Sequence, residues 1–462
     1  MPNIESYDVI IIGCGPAGIF SALELVEKTR LRILMLEKGL DLDERMLPEA
    51  KGSKLGAVDY LSGWGGAGAF SDGKLTMSPT VGGFLCDYVS RPEMEKLIRY
   101  VDDLYVRFGA PQRLYGIDED KVREIERKAA LAGMKLVRNK IRHLGSENCL
   151  QVLRQLRSYL RDRLEIRTKT EAVRLLVEGD QVAGVETSSG GKFSSRYVIV
   201  APGRVGAEWL TKQARLLGLE TLHNPVDLGV RVEVPAAVME GLTTALYEPK
   251  FVFTSKTFDD PVRLFCVCPD GEVITESYDD VVTVNGHSYA DGKSRNTNFA
   301  ILVSTTFTEP FKEPIAYGKY IARLANLLGG GILVQRLGDL DAGRRSTQER
   351  LERNLVEPTL KSATPGDLSF VLPYRYLVDV KEMLKAIDQV APGVYEKHTL
   401  LYGVEVKFYS SRMRSSSSLE TKVRNLFAVG DGAGVTRGLM QASISGIIAA
   451  REVAKREGSG NT

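Results

Sequence analysis

The stretch YDVIIIGCGPAGIFSALEL, from Tyr7 to Leu25, constrains the fold more than any other part of the chain. Its apolar run DVIII has the unbroken hydrophobicity of a strand buried on both faces. The run meets Gly13-Cys14-Gly15-Pro16-Ala17-Gly18, after which the apolar residues fall at helical spacing. A second buried strand, RILMLEKG, follows and ends near Glu37 and Lys38. The order is βαβ, a unit whose crossover is right-handed. Gly13 permits the tight turn. Gly15 lets a pyrophosphate approach the backbone, and Gly18 lets the helix pack close to the strand. The helix start, where Pro16 has no N–H but Ala17 and the residues after it do, offers free N–H groups and partial positive charge to phosphate. A carboxylate at Glu37 can accept both ribose hydroxyls of an adenosine and disfavours a 2′-phosphate. A glycine turn with no ligand is the alternative.

The far end of the chain decides which dinucleotide. In VRNLFAVGDGAGVTRGLMQASISGIIAAREVAK a buried strand ends at Gly430-Asp431. Gly438, Leu439 and Met440 then open a helix carrying Ala442, Ser443, Gly446, Ala449 and Ala450. Asp431 can accept a hydrogen bond from a sugar hydroxyl. The helix start can stabilise negative charge on a planar ring, such as a reduced flavin carries.

At these residues the sequence resembles the large glutathione-reductase-like class of FAD proteins. The resemblance implies a contact between Asp431 and the ribityl or pyrophosphate region of FAD. YVIVAPG, with Ala201, Pro202 and Gly203, is similar to that class's ATG strand end, with Pro202 where Thr is usual. Val173, in TEAVRLL, matches the position whose backbone meets the adenine. WGGAGAFSDGKLT, DLGVRVEVP, QRLGDLDAGRRST, YGVEVKFYSSRMR and VGDGAGVTRGLMQAS together resemble the uncharacterised FAD-dependent dehydrogenases, related to the BaiN-like flavoproteins. The segment GVEVKFYSSRMR departs from that family's GVETRTSSPVR pattern. By the same resemblance the loop holding Gly65, Gly66, Ser71, Asp72 and Lys74 lies along the pyrophosphate and the isoalloxazine. No second G-x-G-x-x-G occurs in mid-chain, so a dedicated NAD(P)H domain is not expected. NAD(P)H can still visit as a transient reductant.

The expected fold class is α/β: a Rossmann-like FAD-binding domain of the glutathione-reductase type with an inserted α+β substrate domain rich in antiparallel strands. The first domain is expected to span 1–206 and 423–462, and the inserted domain 207–422. The length, 462 residues, suits two to three structural units. A formal net charge of +2 gives no field to draw in nucleic acid or an anionic membrane. The five cysteines, Cys14, Cys86, Cys149, Cys266 and Cys268, suit neither a disulfide framework nor a dithiol centre. No His/Cys spacing suits zinc, so no metal is expected. No apolar run reaches the ~18 residues of a membrane span, and a cytoplasmic protein is the default.

Chemistry is expected from FAD bound noncovalently, with the protein positioning and protonating. Lys74 either faces the flavin or a substrate anion, or is a solvated loop lysine. Arg437 either holds an anionic substrate or stabilises reduced flavin, or lies on the surface. Arg344 and Arg345 are either a carboxylate or phosphate clamp or a salt-bridged structural pair, and Arg412 and Arg414 lie in the same inserted domain. Among His143, His223, His287 and His398, His287 in VNGHSY is the candidate general acid, with an ordinary loop histidine as alternative. Tyr374 and Arg375 are further pocket candidates. The leading reading is an FAD-dependent oxidoreductase acting by hydride transfer on a small organic, anionic substrate. The alternatives are a reductase of a prenyl lipid, an RNA-modifying flavoprotein, and a non-catalytic redox-sensing flavoprotein. Oligomeric state is not legible.

Overall fold

Strands Glu5–Ile12 and Ile33–Leu36 are apolar on both faces, and their Val9–Ile12 and Ile33–Leu36 segments are fully buried. Such strands need cover on both sides, which helical crossovers supply. The computed structural model describes residues 4–45, 61–222, 224–278, 280–288, 294–305, 307, 311, 313–408 and 410–459. It divides the chain into two compact units: Met1–Gln112, Arg142–Asn224 and Ser410–Thr462 form the first, Arg113–Ile141 and Pro225–Tyr409 the second.

The first unit is built on a parallel sheet. Its strands run in the order Glu165–Arg167, Ile33–Leu36, Glu5–Ile12 and Lys192–Val200. The outer edge of Lys192–Val200 is shared. Its start pairs antiparallel with Gln181–Thr187, and its end pairs parallel with Leu426–Ala428. The chain's two ends are therefore brought to one strand. Helix Pro16–Lys28 and helix Leu439–Ser459 lie against each other through small residues: a Cβ on Gly446 would meet the Ala17 carbonyl oxygen at 2.1 Å. Ser21 fills the remaining gap, donating to the Gly446 carbonyl at 3.1 Å.

The second unit holds an eight-stranded sheet. Its order is Thr364–Pro365, Leu333–Arg336, Leu400–Lys407, Val226–Pro235, Asn296–Thr305, Pro261–Cys268, Phe251–Thr254 and Met134–Leu136. All neighbours are antiparallel except the first pair. A separate two-stranded ribbon, Glu272–Tyr278 with Val281–His287, covers a charged face of the sheet. There Arg231 is fully buried, donating to Asn298 Oδ1 at 2.8 Å and pairing with Glu405 at 3.3 Å. Gly286 of the ribbon has no room for a side chain, since its Cβ would stand 1.9 Å from Arg231 Nη2.

The unit boundaries differ from those the sequence suggests. Residues 113–141 join the second unit because Met134–Leu136 pairs with Phe251–Thr254, and helix Glu119–Leu131 buries Val122, Ile125 and Ala129 in its core. Helix Ala207–Leu216, assigned by sequence to the inserted domain, joins the first unit. Its Gln213 bonds both the N–H of Leu175 and the carbonyl of Val173.

One buried acid gives the second unit a pH dependence. Asp379, on helix Tyr374–Asp388, is fully buried beside Asp260, which is itself ion-paired to Arg375. Burial and the neighbouring Asp260 carboxylate push the Asp379 carboxyl up to about 6, against the pull of Ser255 and Arg375. An acid whose folded value is raised contributes stability below its unfolded value, and loses it as pH rises through the folded one. Stability from this group therefore falls between about pH 4 and pH 6, by up to ~3 kcal/mol for a shift of two units. Asp379→Asn removes that slope and leaves an amide that can donate to Asp260. Urea unfolding of wild type and variant at pH 4.5 and 7 checks this: a gap between the two proteins that does not change with pH contradicts it.

Candidate functional site

A cleft of about 490 Å³ lies wholly within the first unit, along the carboxyl ends of its parallel strands. Its floor is the glycine loop. Gly13 has φ +99°, and a Cβ there would meet the Ala201 carbonyl oxygen at 2.2 Å. Gly15 is extended, at φ −79° and ψ −177°, and a Cβ there would meet nothing within 4 Å: it would point into open space. Pro16 and Ala17 also line the cleft. Gly18 lies behind, where a Cβ would stand 1.9 Å from the Gly13 carbonyl oxygen. Helix Pro16–Lys28 has no side-chain cap and no acid in its first turn. Its first backbone bond from the loop runs from Ile19 N–H to the Gly15 carbonyl, leaving the N–H groups of Ala17 and Gly18 ahead of it. This is an arrangement for an anion.

Glu37 and Lys38 line the next stretch. Glu37 is buried, and backbone amides grip its carboxylate. Oε2 accepts from Cys14 N–H at 2.8 Å, and Oε1 from Gly39 and Gly63 N–H, both at 2.9 Å. A carboxylate has about four lone-pair sites. The amides fill most of them, so Glu37 keeps room for one hydroxyl rather than the two expected.

The loop from Leu61 to Ser71 forms one wall, with Gly66 and Ser71 on it. Arg45 fastens this loop, donating to the carbonyls of Trp64 at 2.6 Å and Gly66 at 3.1 Å. Trp64, fully buried, anchors it from beneath through Nε1 and the Leu153 carbonyl. Gly65 faces away from the cleft, toward Leu153. Asp72 and Lys74 lie outside the wall, paired to each other at 2.9 Å.

The opposite wall is the turn after Lys192–Val200: Ala201, Pro202 and Gly203, then Arg204, Val205 and Gly206. At one end stand Thr170, Glu171 and Ala172, with Glu208, Trp209 and Lys212 of helix Ala207–Leu216. Val173 does not reach the wall. Its carbonyl accepts from Trp209 Nε1 at 2.9 Å and Gln213 Nε2 at 3.1 Å. At the other end are Gly430, Asp431, Gly438, Leu439 and Ala442, while Met440 is buried behind them. Asp431 accepts from Thr436 Oγ1 at 2.8 Å and from Gly438 N–H at 3.3 Å. Burial pushes its carboxyl up, while Arg204, Thr436 and the Gly438 amide pull it down.

The catalytic candidates do not gather here. Lys74 turns to Asp72, and the Arg437 backbone is held by the Gly82 carbonyl. His287 ends a ribbon strand of the second unit, opposite Glu272. Arg345 is exposed in the same unit, its carbonyl accepting from Arg350, while Arg344 pairs with Asp339 at 2.9 Å. Arg375, Arg412 and Arg414 are likewise ion-paired, to Asp260, Asp87 and Glu220. His223 lies outside the described residues. Among the described residues no cluster of metal-ligating side chains occurs. The cleft residues that sequence reasoning missed include Leu61, Ser62, Ala67, Gly68, 170–172, 204–206, Glu208, Trp209 and Lys212. Their only signal is position, just after a strand end or inside the glycine-rich loop.

Residues 225–408 match the family model described as "FAD-dependent protein, C-terminal domain-like". That range is nearly the whole main stretch of the second unit. The match relates the chain to FAD-dependent proteins. An uncharacterised protein of Clostridium beijerinckii is 27% identical over 482 aligned residues, spanning 97% of this chain and 80% of that protein. Among solved structures, a formate oxidase is similar at TM-score 0.48 and 11% identity, with 100% of each chain covered. The 3-ketosteroid-Δ4-(5α)-dehydrogenase of Rhodococcus jostii RHA1 is similar at TM-score 0.45 and 12% identity, covering 98% of both chains. L-proline dehydrogenase of P. horikoshii is similar at TM-score 0.42 and 12% identity, covering 98% of this chain and 95% of its own. Likenesses this loose say nothing of activity.

Proposed function

We propose that the chain is an FAD-dependent oxidoreductase with a first unit of the glutathione-reductase type, belonging with the uncharacterised FAD-dependent dehydrogenases. The observation that carries this reading is the cradle at Gly15. Space stands open where a Cβ would project, beside the leading amides of an uncapped helix, in a cleft that also holds Glu37 and Asp431. The donor set fits FAD. The N–H groups of Ala17 and Gly18 would hold the pyrophosphate, Glu37 the adenosine ribose, and Asp431 the ribityl or pyrophosphate region. Bound there, FAD supplies hydride transfer. The family match over 225–408 supports the same cofactor.

The protein's own part is positional. The amides on Glu37 keep its carboxylate turned toward the cleft before any ligand arrives. Arg45 and Trp64 fix the facing loop. The start of helix Leu439–Ser459 reaches the cleft at Leu439, and its positive dipole end favours negative charge there even with the Gly438 N–H given to Asp431. The substrate is a small organic molecule, and the setting is the cytoplasm.

The protein should purify yellow, with FAD released by heat or acid and identified by chromatography at about one per chain. An anaerobic screen of candidate metabolites, and of NADH and NADPH, then follows the flavin absorbance. Protein that stays colourless after reconstitution with FAD contradicts the cofactor. Bound FAD that no donor bleaches contradicts the oxidoreductase.

A further inference from the structure

We propose that the outward face of helix Pro314–Gly329, in the second unit, docks on an anionic lipid surface. A helix lying on a sheet turns its large apolar residues inward. This one follows the rule only in part. Its buried positions are small: Pro314, Gly318, Ala322 and Ala325. Gly318 packs so closely that a Cβ would stand 2.9–3.0 Å from the side chains of Val406, Phe408 and Val226. Tyr317 and Ile321 lie half-buried against the core, but four further large apolar residues point outward. Tyr320 is 69% exposed, Leu327 79%, Leu328 50% and Leu324 37%. Their positions, i, i+4, i+7 and i+8, form one continuous stripe. Tight backbone packing on one side and unburied leucines on the other is a costly arrangement in water unless something covers the stripe.

Charge and size choose the occupant. The helix carries no acidic residue, and its two charged side chains, Lys319 and Arg323, lie beside the stripe. Arg323 pairs with Asp280 at 2.7 Å, with both side chains about half exposed. Such an open pair is weak enough for a lipid phosphate to compete for the guanidinium. Four side chains offer a few hundred Å², short of the roughly 800 Å² that each partner of a standard protein interface buries. A single helix seated in the headgroup layer needs no more: leucines enter the acyl boundary, the tyrosine sits at headgroup level, and bases meet anionic lipid. The whole-chain charge of +2 hides this feature because it is local. Lying on a membrane is distinct from crossing it, and no described helix is long and apolar enough to cross one.

The test uses the full-length protein with vesicles of phosphatidylcholine alone and of equal parts phosphatidylglycerol and phosphatidylcholine. Flotation should recover at least tenfold more protein with the anionic vesicles. Leu327→Glu with Leu328→Glu should remove that binding, with the thermal melt unchanged because these are the two most exposed leucines of the stripe. Lys319→Gln with Arg323→Gln should erase the preference for phosphatidylglycerol. A Tyr320→Trp variant should show blue-shifted emission on anionic vesicles. Absence of binding, binding that survives the double Glu variant, or an unshifted tryptophan each overturns the proposal. So does a dimer in light scattering that Leu327→Glu reduces to a monomer, which would make a second copy the occupant.

Discussion

Gly15→Val should give a folded protein that cannot hold FAD. The substituted residue keeps a backbone that any L-residue can adopt, since Gly15 has φ −79°. A Cβ there meets no atom beyond its chain neighbours within 4 Å, so the fold leaves it room. The new methyls instead fill the space in front of the Ala17 and Gly18 amides, where a pyrophosphate must approach. A loss of at least about 100-fold in FAD affinity is expected, or ~2.7 kcal/mol. The neighbouring glycine is the control. Gly13 has φ +99°, and its Cβ would stand 2.2 Å from the Ala201 carbonyl oxygen, so Gly13→Val breaks the strand-to-helix turn itself. Thermal melts of the FAD-free proteins, with titration of FAD by flavin fluorescence, separate the two. A Gly15→Val protein that binds FAD as wild type does would remove the cradle from its assigned role.

The contrast between those glycines shows what a sequence carries. The βαβ unit was legible because each step is local: an apolar run, a glycine spacing and a helical period, all within forty residues. So was the return of the C-terminal segment, since NLFAVGD reads as a buried strand, although only pairing with Val198–Val200 shows where it lands. The antiparallel character of the second unit was also legible in its alternating strands and turns. What failed depended on competition between distant groups. The sequence leaves Lys74 free to face the cleft, but the folded chain gives it Asp72. The backbone of Val173 was a fair candidate for a ligand contact. A bulge between Ala172 and Arg174, and the capture of its carbonyl by Trp209 and Gln213, leave Ala172 on the wall instead. The boundary at 207 failed for the same reason. An amphipathic helix carries no mark of which of two cores it will join; helix Ala207–Leu216 joins the first, through buried Leu210 and Ala214 and the bonds of Gln213.

Glu37→Ala should cost both stability and cofactor, and the two losses can be measured apart. The sequence casts Glu37 only as a ribose acceptor. In the fold it is also the shared acceptor for Cys14, Gly39 and Gly63, which lie in three different segments of the cleft. Without the carboxylate, buried N–H groups lose their partner at about 1–3 kcal/mol each. Water entering from the cleft recovers part of that, leaving about 3 kcal/mol, or on the order of 6–10 °C in the Tm of a domain this size. The FAD-free variant should therefore melt below FAD-free wild type, which no role confined to the ligand can produce. Added FAD should raise the wild-type Tm but hardly move that of the variant, because the Gly63 loop is no longer held against the ribose acceptor. Glu37→Gln should fall between them in stability. Its one amide oxygen can still accept from Gly39 and Gly63, while its NH₂ meets the N–H of Cys14, donor against donor. If FAD-free Glu37→Ala melts with wild type, the three amides do not depend on this carboxylate, and the cleft is not organised around it.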